Sequence, residues 1–289
     1  MTAASARPRR SALYLPASNA KALAKARTLP VDTVILDLED SVAPDGKVEA
    51  RAMAVAAVGE GGFGRREVVV RANGLNTPWG AHDLAAIAAS GPDAVLVPKI
   101  DGVEDIRAYN AALAAAPAQT RLWVMIETCA VLPRLHDVAA CAADSRLAGF
   151  VLGTNDLAKE MRAQLLPGRV PFQPVLTMAV AAARAHGLVV LDGVCNEFRD
   201  LAAFTAEAQQ GLLFGFDGKT LIHPDQIEPC NAVFSPSAAE LDWAERVVAA
   251  FAAPEHAGKG VIKLDGKMVE LLHLDQARRL LAISEQIAA

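Results

Sequence analysis

The sequence has few aromatic residues, no excess of basic charge and no long apolar run. Phe, Trp and Tyr make up 5% of the 289 residues, although hydrophobic residues as a whole reach 53%. A core built mainly from Ala, Val, Leu and Ile is typical of helices packed closely on a parallel sheet. The formal net charge of -5 is spread along the chain, so the composition indicates no nucleic-acid partner.

Cysteine is also scarce, and its spacing excludes the common disulfide and zinc patterns. The chain has four cysteines without a CxxC pair, and we predict that all four are buried thiols in a reducing compartment. The apolar run after Arg10 ends at Pro16, too early for a secretory signal. No window supplies the roughly 18 apolar residues of a membrane helix. These features predict a cytoplasmic, soluble protein with no membrane partner.

Short apolar runs alternate with Ala-rich helical segments along most of the chain. A strand followed by a crossover helix, repeated, produces a parallel sheet, and eight repeats favour a closed (β/α)8 TIM barrel over an open sheet. Predicted helices cover residues 20–29, 48–58, 81–90, 103–115 and 176–186. The predicted strands cover residues 12–15, 33–38, 67–71, 94–99, 121–127, 149–153, 188–192 and 212–216.

The last part of the chain follows a different pattern. Residues 240–251 and 273–286 are predicted helices, with a hairpin at 258–267 that turns at Asp265-Gly266. We therefore expect a barrel in residues 1–230, with the active site at its C-terminal strand ends. Residues 231–289 would form a helical and hairpin appendage that caps the barrel or a neighbouring subunit. The long interval 158–188 predicts either a lid over the barrel mouth or a plain surface loop.

Two predicted strands end abruptly in a carboxylate. Glu127 follows Leu122 to Ile126, and Asp156 follows the run that ends at Leu152. Two unpaired anions at neighbouring strand ends repel each other, and a shared divalent cation removes that cost. Magnesium commonly takes only one or two protein carboxylates, so this pair suffices. The alternative is structural, because Asp156 also precedes a helix that it would cap.

Arg71 ends a third run, after three valines, where an unpaired guanidinium in the core would be costly. We predict that Arg71 faces the barrel mouth, where its fork suits a carboxylate or a developing enolate. The alternative is an ion pair with the acids of Asp37-Leu38-Glu39-Asp40. Alternation along the strand places Asp37 and Glu39 on one side and Asp40 on the other. Glu39 and Asp40 are predicted to support Arg71 or the water shell of the metal.

Two further polar residues lie near predicted strand ends. A lysine in an apolar barrel, such as Lys99, can form a Schiff base with a carbonyl substrate. The acid pair makes an imine redundant, so we interpret Lys99 as a structural or phosphate-facing cation. His223, in Leu221-Ile222-His223-Pro224, is interpreted as a packed or hydrogen-bonding histidine rather than a base.

Seven short motifs are spread over nearly the whole chain: Arg10-Ser11-x-Leu13-Tyr14-x-Pro16, Asp37-Leu38-Glu39-Asp40-Ser41-Val42-Ala43, Val70-Arg71-x-Asn73-Gly74, Pro78-Trp79-Gly80, Met125-Ile126-Glu127-Thr128, Gly153-Thr154-Asn155-Asp156-Leu157 and Gly215-Phe216-Asp217-Gly218-Lys219-Thr220-x-Ile222-His223-Pro224-x-Gln226-Ile227. Taken together, these motifs resemble the citrate lyase β-subunit-like branch of the HpcH/HpaI aldolases. Within that family the chain is most similar to CoA-ester lyases of the malyl-CoA lyase and malyl-CoA thioesterase kind.

The resemblance implies a magnesium-dependent barrel that cleaves a 3-hydroxyacyl-CoA, such as malyl-, citramalyl- or citryl-CoA, into an acyl-CoA and a 2-oxo acid. Glu127 and Asp156 would hold Mg2+, which chelates the oxo acid, and Arg71 would polarise the thioester carbonyl and stabilise the enolate. The resemblance places a last group of residues at the CoA phosphates, although the two lysines also fit a solvated helix face: Tyr14, Lys21 and Lys25.

One motif departs from the family. The usual Gly-Lys-Met-Ile-Asp, whose Asp is implicated as an acid/base group, is replaced here by Gly266-Lys267-Met268-Val269-Glu270. The extra methylene of Glu270 displaces the acid by about 1 Å or more, enough to alter proton transfer. The resemblance also implies a homo-oligomer, a trimer or hexamer. A carbon–carbon lyase is our first hypothesis. The alternatives are a thioesterase at the same site and a non-catalytic or acyl-carrier-dependent subunit of a larger lyase.

Overall fold

Eight parallel strands close into a barrel within residues 9–234 of the computed structural model, which describes residues 7–289. Each strand pairs with the next, and the last pairs with the first. The predicted (β/α)8 architecture is therefore confirmed. The strands are β1 (Ser11–Pro16), β2 (Thr33–Asp37), β3 (Glu67–Arg71), β4 (Ala94–Val97), β5 (Arg121–Ile126), β6 (Leu147–Leu152), β7 (Val189–Asp192) and β8 (Gly218–Leu221).

Helices follow the strands and pack on the outside of the barrel. Short 3-10 helices at Pro44–Gly46, Leu132–Arg134, Cys141–Ala143, Val170–Phe172 and Pro224–Gln226 complete several connections. The α-helices of this unit are α1 (Ala20–Ala26), α2 (Lys47–Glu60), α3 (Gly80–Ser90), α4 (Val103–Ala112), α5 (Leu135–Ala140), α6 (Thr154–Met161), α7 (Gln173–Ala185), α8 (Leu201–Phe214) and α9 (Ile227–Phe234).

The strands bury both of their faces, as expected for a parallel sheet covered by helices. Alternate residues fill the inside of the barrel, and the residues between them pack against the helices outside. The outer layer is the larger apolar cluster. The inner cluster consists of Ala12, Ile35, Val69, Ala94, Leu96, Trp123, Met125, Val151 and Leu191. This alternation directs Asp37, Arg71 and Glu127 inward at the C-terminal ends of their strands.

The prediction of the eighth strand at residues 212–216 is wrong. Leu212 and Leu213 belong to the last turn of α8, and 87% of the surface of Leu213 is exposed. The helix ends at Gly215, which has a left-handed backbone with φ of 94°. The eighth strand is β8, with the sequence Gly-Lys-Thr-Leu. Because this sequence is partly polar, an apolar pattern does not identify it as a strand, although all four residues are buried.

Lys219 of β8 is buried together with charged partners from β7, α8 and the segment before the 3-10 helix Val170–Phe172. We call these residues the wall cluster: Arg169, Asp192, Glu207 and Lys219. The Lys219 Nζ lies 3.1 Å from Asp192 and 2.7 Å from Glu207. Arg169 donates to both oxygens of Asp192, at 2.7 and 2.9 Å. Burial alone raises the pKa of Asp192, but the two cations outweigh it and leave the pKa below its usual value.

Residues 235–289 belong to a second compact unit. It consists of α10 (Ala238–Ala252), a 3-10 helix (Pro254–His256), the hairpin strands β9 (Val261–Leu264) and β10 (Lys267–Glu270), and α11 (Leu271–Ala288). The strands are antiparallel, and Asp265 and Gly266 both have positive φ between them. The predicted helices, hairpin and turn are confirmed. The long connection between α6 and β7 contains an irregular segment at residues 163–169, the 3-10 helix Val170–Phe172 and α7, which confirms the helix predicted at 176–186. Whether the irregular segment is a lid or a plain surface loop remains a prediction.

The cysteine prediction is only half right. Cys195 and Cys230 are buried, but Cys129 is exposed and Cys141 is partly exposed; all four are free thiols. Cys129 is exposed because it follows the end of β5, where the chain leaves the barrel. Within residues 7–289, no helix combines the length and apolar character that crossing a bilayer requires.

Candidate active site

Arg71 lies at the barrel mouth, held by three acids. Its Nε and Nη2 donate to the two oxygens of Asp37, at 2.6 and 2.7 Å. Its Nη1 lies 2.9 Å from Glu39 Oε2 and 3.3 Å from Asp40 Oδ2. Asp37 pairs directly with Arg71 in the strand register, so the bidentate contact follows from the sheet itself. Both predictions for Arg71, the mouth and the ion pair, therefore describe the same side chain.

The charge of Arg71 is permanent, and its guanidinium is immobilised. Burial alone lowers the pKa of Arg71, but Asp37 and Glu39 raise it well above the usual value. The same arrangement leaves the pKa of Asp37 below its usual range, although burial opposes this. The acids hold the guanidinium in one orientation at the mouth. Asp40 is its weakest partner, because 59% of the Asp40 side chain is exposed and the contact is the longest.

Alternation did not predict which acids meet. The sequence pattern placed Asp40 on the opposite side from Asp37 and Glu39, yet all three contact Arg71. The reason is that β2 ends at Asp37, so the strand geometry does not continue through Glu39 and Asp40. The turn is stabilised by Lys47, whose Nζ donates to the carbonyl oxygens of Leu38 and Glu39 at 2.9 and 2.7 Å.

Glu127 lies at the C-terminal end of β5, and Lys99 connects it to Glu39. The backbone N–H of Lys99 donates to Glu127 Oε1 at 2.8 Å, and the Lys99 Nζ donates to Glu39 Oε1 at 2.8 Å. Burial raises the pKa of Glu127 to about 8, with help from the negative charges of Glu39 and Asp156. Burial also raises the pKa of Glu39, although Arg71 and Lys99 oppose it.

Gly153 makes room for Glu127. A Cβ placed on Gly153 would lie 2.5 Å from Glu127 Oε2 and closer still to the Glu127 Cβ, which no side chain tolerates. The end of β6 can therefore lie this close to Glu127 only because residue 153 has no side chain. The sequence identifies Gly153 only as part of a motif, without a role of its own. Its position, immediately after an apolar run and before a helix, is the feature that could have indicated the role.

Asp156 lies in the first turn of α6, partly buried. The N-cap of α6 is Gly153, so the alternative in which Asp156 caps the helix is wrong: the helix begins three residues earlier than that alternative requires. An acid in the first turn is favoured by the helix dipole. The negative charge of Asp156 contributes to the raised pKa of Glu127, which places the two acids within electrostatic range of each other.

The acids fit a divalent cation in number and charge. Within residues 7–289, no group of three or more His, Cys, Asp or Glu side chains is arranged to hold a metal. Magnesium needs fewer, because water and substrate oxygens complete its octahedron. A cation near Glu127 would compensate the charges that now oppose its ionisation. Metal ligation by Glu127 and Asp156 remains a prediction. We call Asp37, Glu39, Asp40, Arg71, Lys99, Glu127 and Asp156 the rim cluster.

Lys99 was interpreted as a structural or phosphate-facing cation, and the structure gives it a more specific place. Its ammonium approaches a carboxylate, and its pKa is raised because Glu39 outweighs the effect of burial. A lysine that forms a Schiff base needs the opposite shift, toward the neutral amine. His223 accepts a hydrogen bond from the backbone N–H of Asp225 and stacks on Phe198, consistent with a hydrogen-bonding role.

Tyr14, Lys21 and Lys25 were predicted together at the CoA phosphates. Tyr14 extends from β1, with its ring 4.8 Å from the Arg71 guanidinium carbon and its hydroxyl 3.4 Å from Met125 Sδ. Lys21 and Lys25 are exposed on α1. The contacts of Tyr14 therefore belong to the mouth of the barrel. Binding of CoA by these three residues remains a prediction.

Glu270 ends β10 in the second unit, directly before α11, and is partly buried. Its backbone N–H donates to His273 Nδ1 at 3.0 Å. This contact orders the start of α11 and leaves the carboxylate chemistry of Glu270 unassigned. Its acid/base role remains a prediction.

Comparisons with known proteins show which family the chain resembles. The family model described as HpcH/HpaI aldolase/citrate lyase matches residues 10–224. The chain is 48% identical to the (3S)-malyl-CoA thioesterase of Cereibacter sphaeroides (strain KD131) over 284 residues, covering 98% of this chain and 97% of the relative. It is 32% identical over 310 residues to the L-malyl-CoA/beta-methylmalyl-CoA lyase of the same species (strain ATCC 17029), covering 98% and 97%.

A solved structure is similar over nearly the same length. The protein CitE from Mycobacterium tuberculosis, in complex with magnesium, acetoacetate and coenzyme A, superposes with a TM-score of 0.77 at 28% identity. The match covers 97% of this chain and 99% of that chain. The similarity therefore includes the second unit as well as the barrel.

Proposed function

Because the chain belongs to the HpcH/HpaI aldolase/citrate lyase family, we propose that it is a magnesium-dependent enzyme that hydrolyses a short 3-hydroxyacyl-CoA thioester such as malyl-CoA. The observation that carries the proposal is Arg71, a buried guanidinium immobilised by Asp37 at the barrel mouth, on the same rim as Glu127. The choice of hydrolysis rests on the 48% identity to a malyl-CoA thioesterase over 98% of the chain.

Arg71 would bind and polarise the thioester carbonyl. Its Nε and Nη2 already donate to Asp37. The contact that the substrate carbonyl would displace is therefore the long one between Nη1 and Asp40. A carbonyl oxygen that replaces Asp40 gains a charge-assisted hydrogen bond, which strengthens as negative charge develops on the oxygen. The orientation costs little, because Asp37 has already immobilised the guanidinium.

Asp40 would then lie beside the reacting carbon. Water adds its oxygen to the carbonyl carbon while Asp40 takes a water proton. The carbon–sulfur bond then breaks, and the departing thiolate of CoA takes that proton from Asp40. Asp40 suits this role because it is the exposed acid among the partners of Arg71. Glu270 is the alternative base, from its motif. Glu39 would keep Lys99 and Arg71 in place rather than transfer the proton.

Glu127 and Asp156 would hold Mg2+. When bound, the metal supplies positive charge that offsets these carboxylates and attracts oxygen atoms of the acyl group. The solved relative in complex with magnesium supports this choice of metal. Glu127 Oε1 accepts a hydrogen bond from the backbone N–H of Lys99, which orients the carboxylate and would leave Oε2 for the metal.

The second candidate is carbon–carbon cleavage at the same site, our first hypothesis from sequence. It is supported by the 32% identity to a malyl-CoA lyase and by the family description. Here Arg71 would stabilise an enolate of the departing acyl-CoA instead of a tetrahedral oxyanion. Both reactions need the same guanidinium, so the products decide between them.

The test incubates the protein with (3S)-malyl-CoA and Mg2+ and identifies the products by mass spectrometry. We expect free CoA and malate in equal amounts. Acetyl-CoA and glyoxylate would instead establish the lyase, and intact malyl-CoA would contradict both. A parallel incubation with EDTA should stop the reaction, and continued turnover there would refute the metal role.

A further inference from the structure

The side chain of Tyr14 crosses the inside of the barrel. Tyr14 belongs to β1 and packs against the inner apolar cluster. Its hydroxyl lies 3.4 Å from the Sδ of Met125, which belongs to β5. In the closed order of eight strands, β1 and β5 are four strands apart in either direction, so they face each other across the barrel. The phenol ring therefore forms part of the floor beneath the mouth.

The ring of Tyr14 also lies against Arg71, the residue proposed to polarise the thioester carbonyl. The ring centroid is 4.8 Å from the guanidinium carbon of Arg71. The charges of Arg71 and Glu127 both act on the pKa of Tyr14, so the hydroxyl is within electrostatic range of both sides of the site. Tyr14 is thus a polar group of the acyl end of the site.

The hydroxyl of Tyr14 keeps its proton and has a weak partner. Burial raises the pKa of Tyr14, although the charge of Arg71 opposes this effect. The phenol is therefore a neutral O–H donor at physiological pH. It donates to Met125 Sδ, and a thioether is a weak acceptor. A substrate oxygen that gains negative charge would be a much stronger acceptor for the same hydrogen.

Arg71 offers few donors to the substrate, because most of its hydrogen bonds are made within the rim cluster. Its Nε and Nη2 donate to Asp37, and its Nη1 also approaches Glu39 and Asp40. An oxyanion has several lone pairs and is stabilised best when more than one donor is directed at it. A second donor beside Arg71 would therefore lower the barrier further.

We propose that the Tyr14 hydroxyl is this second donor, a catalytic group that binds the thioester oxygen together with Arg71. The inference rests on the proposed function, because it concerns the oxygen that Arg71 polarises. As water adds to the carbonyl carbon, the electron pair of the carbonyl bond moves onto this oxygen. Tyr14 then donates a stronger hydrogen bond to it, and the proton stays on Tyr14 throughout.

The position of Tyr14 favours this role over contact with the CoA phosphates. Lys21 and Lys25 are exposed on α1, whereas the hydroxyl of Tyr14 is directed across the barrel to β5. The phosphates lie at the opposite end of CoA from the thioester sulfur. The hydroxyl and the two lysines would therefore contact different parts of the substrate.

The test uses Tyr14→Phe, which removes the hydroxyl and keeps the ring on Arg71. Steady-state kinetics with (3S)-malyl-CoA and Mg2+ give kcat and KM. We expect kcat to fall by about 10- to 100-fold, the loss of one neutral oxyanion donor. KM should change by less than about 3-fold, because the bond strengthens mainly in the transition state.

Tyr109→Phe is the matched control. The chain has two tyrosines, and the hydroxyl of Tyr109 accepts a hydrogen bond from the backbone N–H of Leu75 instead of contacting the rim cluster. This variant loses the same group and should leave kcat unchanged. Thermal unfolding and calorimetric binding of Mg2+ show whether each variant is folded with an intact site.

An unchanged kcat in Tyr14→Phe would overturn the inference. A raised KM with weaker inhibition by free CoA and an unchanged kcat would also overturn it, and would assign Tyr14 to CoA. If Tyr14→Phe is unfolded, 3-fluorotyrosine incorporated into Tyr109→Phe decides the question. It keeps the hydroxyl at position 14 as a stronger donor, so kcat should be maintained or raised, and a lower kcat would contradict the inference.

The products separate this inference from the proposed function. Acetyl-CoA and glyoxylate from the wild-type protein would replace hydrolysis by carbon–carbon cleavage. The loss of kcat in Tyr14→Phe would still be expected, because the same oxygen carries the charge of the enolate. Absence of any cleavage of malyl-CoA by the wild-type protein overturns the proposed function, and the inference with it.

Discussion

The barrel has two clusters of charged residues, one buried in its wall and one at its partly exposed rim, and they differ in the balance of acids and cations. In the wall cluster, two cations meet two acids, and Asp192 is contacted by both Arg169 and Lys219. Its pKa falls below the usual value despite complete burial. In the rim cluster the acids outnumber the cations, and the pKa of Glu127 is raised to about 8. Buried charge that is matched stabilises a fold, whereas unmatched charge leaves room for a ligand.

The largest difference should appear in stability when each cluster loses a lysine. Lys219→Met leaves Asp192 and Glu207 short of a cation in a buried site, so we expect a loss of about 3–5 kcal/mol in the free energy of unfolding. Lys99→Met, at the half-exposed rim, should lose about 1 kcal/mol or less. Urea denaturation measures both, and similar losses would contradict the distinction between the clusters.

Catalysis should depend on the rim and not on the wall. Arg71→Lys cannot reproduce the bidentate contact with Asp37, so the point charge loses its orientation toward the carbonyl. We expect thioester cleavage to fall by about 100- to 1,000-fold, the usual cost of one oxyanion donor. Steady-state kinetics measure the loss, with urea denaturation to check folding. Retention of a tenth or more of the activity would refute the role of Arg71.

The pH dependence of stability should also separate the clusters. Glu127 has a pKa of about 8 in the folded protein and about 4.3 when unfolded, so the folded state binds more protons between these values. In EDTA, stability should therefore fall as the pH rises from about 5 to about 8, by up to about 1.4 kcal/mol per pH unit.

Glu127→Gln is the control, and it should remove this part of the slope because the amide does not titrate. Saturating Mg2+ should also flatten the slope in the wild-type protein if the ion binds the ionised acids. An unchanged slope in Glu127→Gln would mean that other groups cause it. Urea midpoints at several pH values supply the measurement.

The smallest expected effect concerns backbone strain away from the rim. Arg162 is exposed at the end of α6 with φ of 54°, so Arg162→Gly should remove a left-handed strain at little other cost. We expect a gain of about 0.5–1 kcal/mol in the free energy of unfolding, part of the strain being offset by the entropy of glycine. A loss of stability would show that the strain at such positions is negligible here.

The sequence was sufficient for seven strands because each is an apolar run followed by a helix signal. It failed for β8, where Lys219 interrupts the run and is neutralised by Asp192 and Glu207 from other elements. A local sequence pattern cannot show ion pairs between residues that are distant in the chain. The apolar run that replaced it, Leu212 to Phe214, is the exposed end of a helix.

The site was partly predictable for the same reason. Arg71 and Glu127 stood out because a charge at the end of an apolar run needs an explanation, and both lie on the rim. The links between them were not predictable. Lys99 joins Glu39 and Glu127 through a backbone N–H and an ammonium, a geometry that depends on a left-handed turn. Lys47 acts through carbonyl oxygens, which no sequence pattern displays.

The absence of a side chain at Gly153 limits which substitutions this fold can accept near the active site. Position 153 cannot accept a side chain in this backbone arrangement, because its Cβ would overlap the Cβ of Glu127 as well as the carboxylate. A substitution at one position therefore constrains the other, although they lie 26 positions apart in the chain. Because the shortest approach is to the Glu127 Cβ, which any residue except glycine would keep, a side chain at 153 would have to displace the end of β5, and with it the acid.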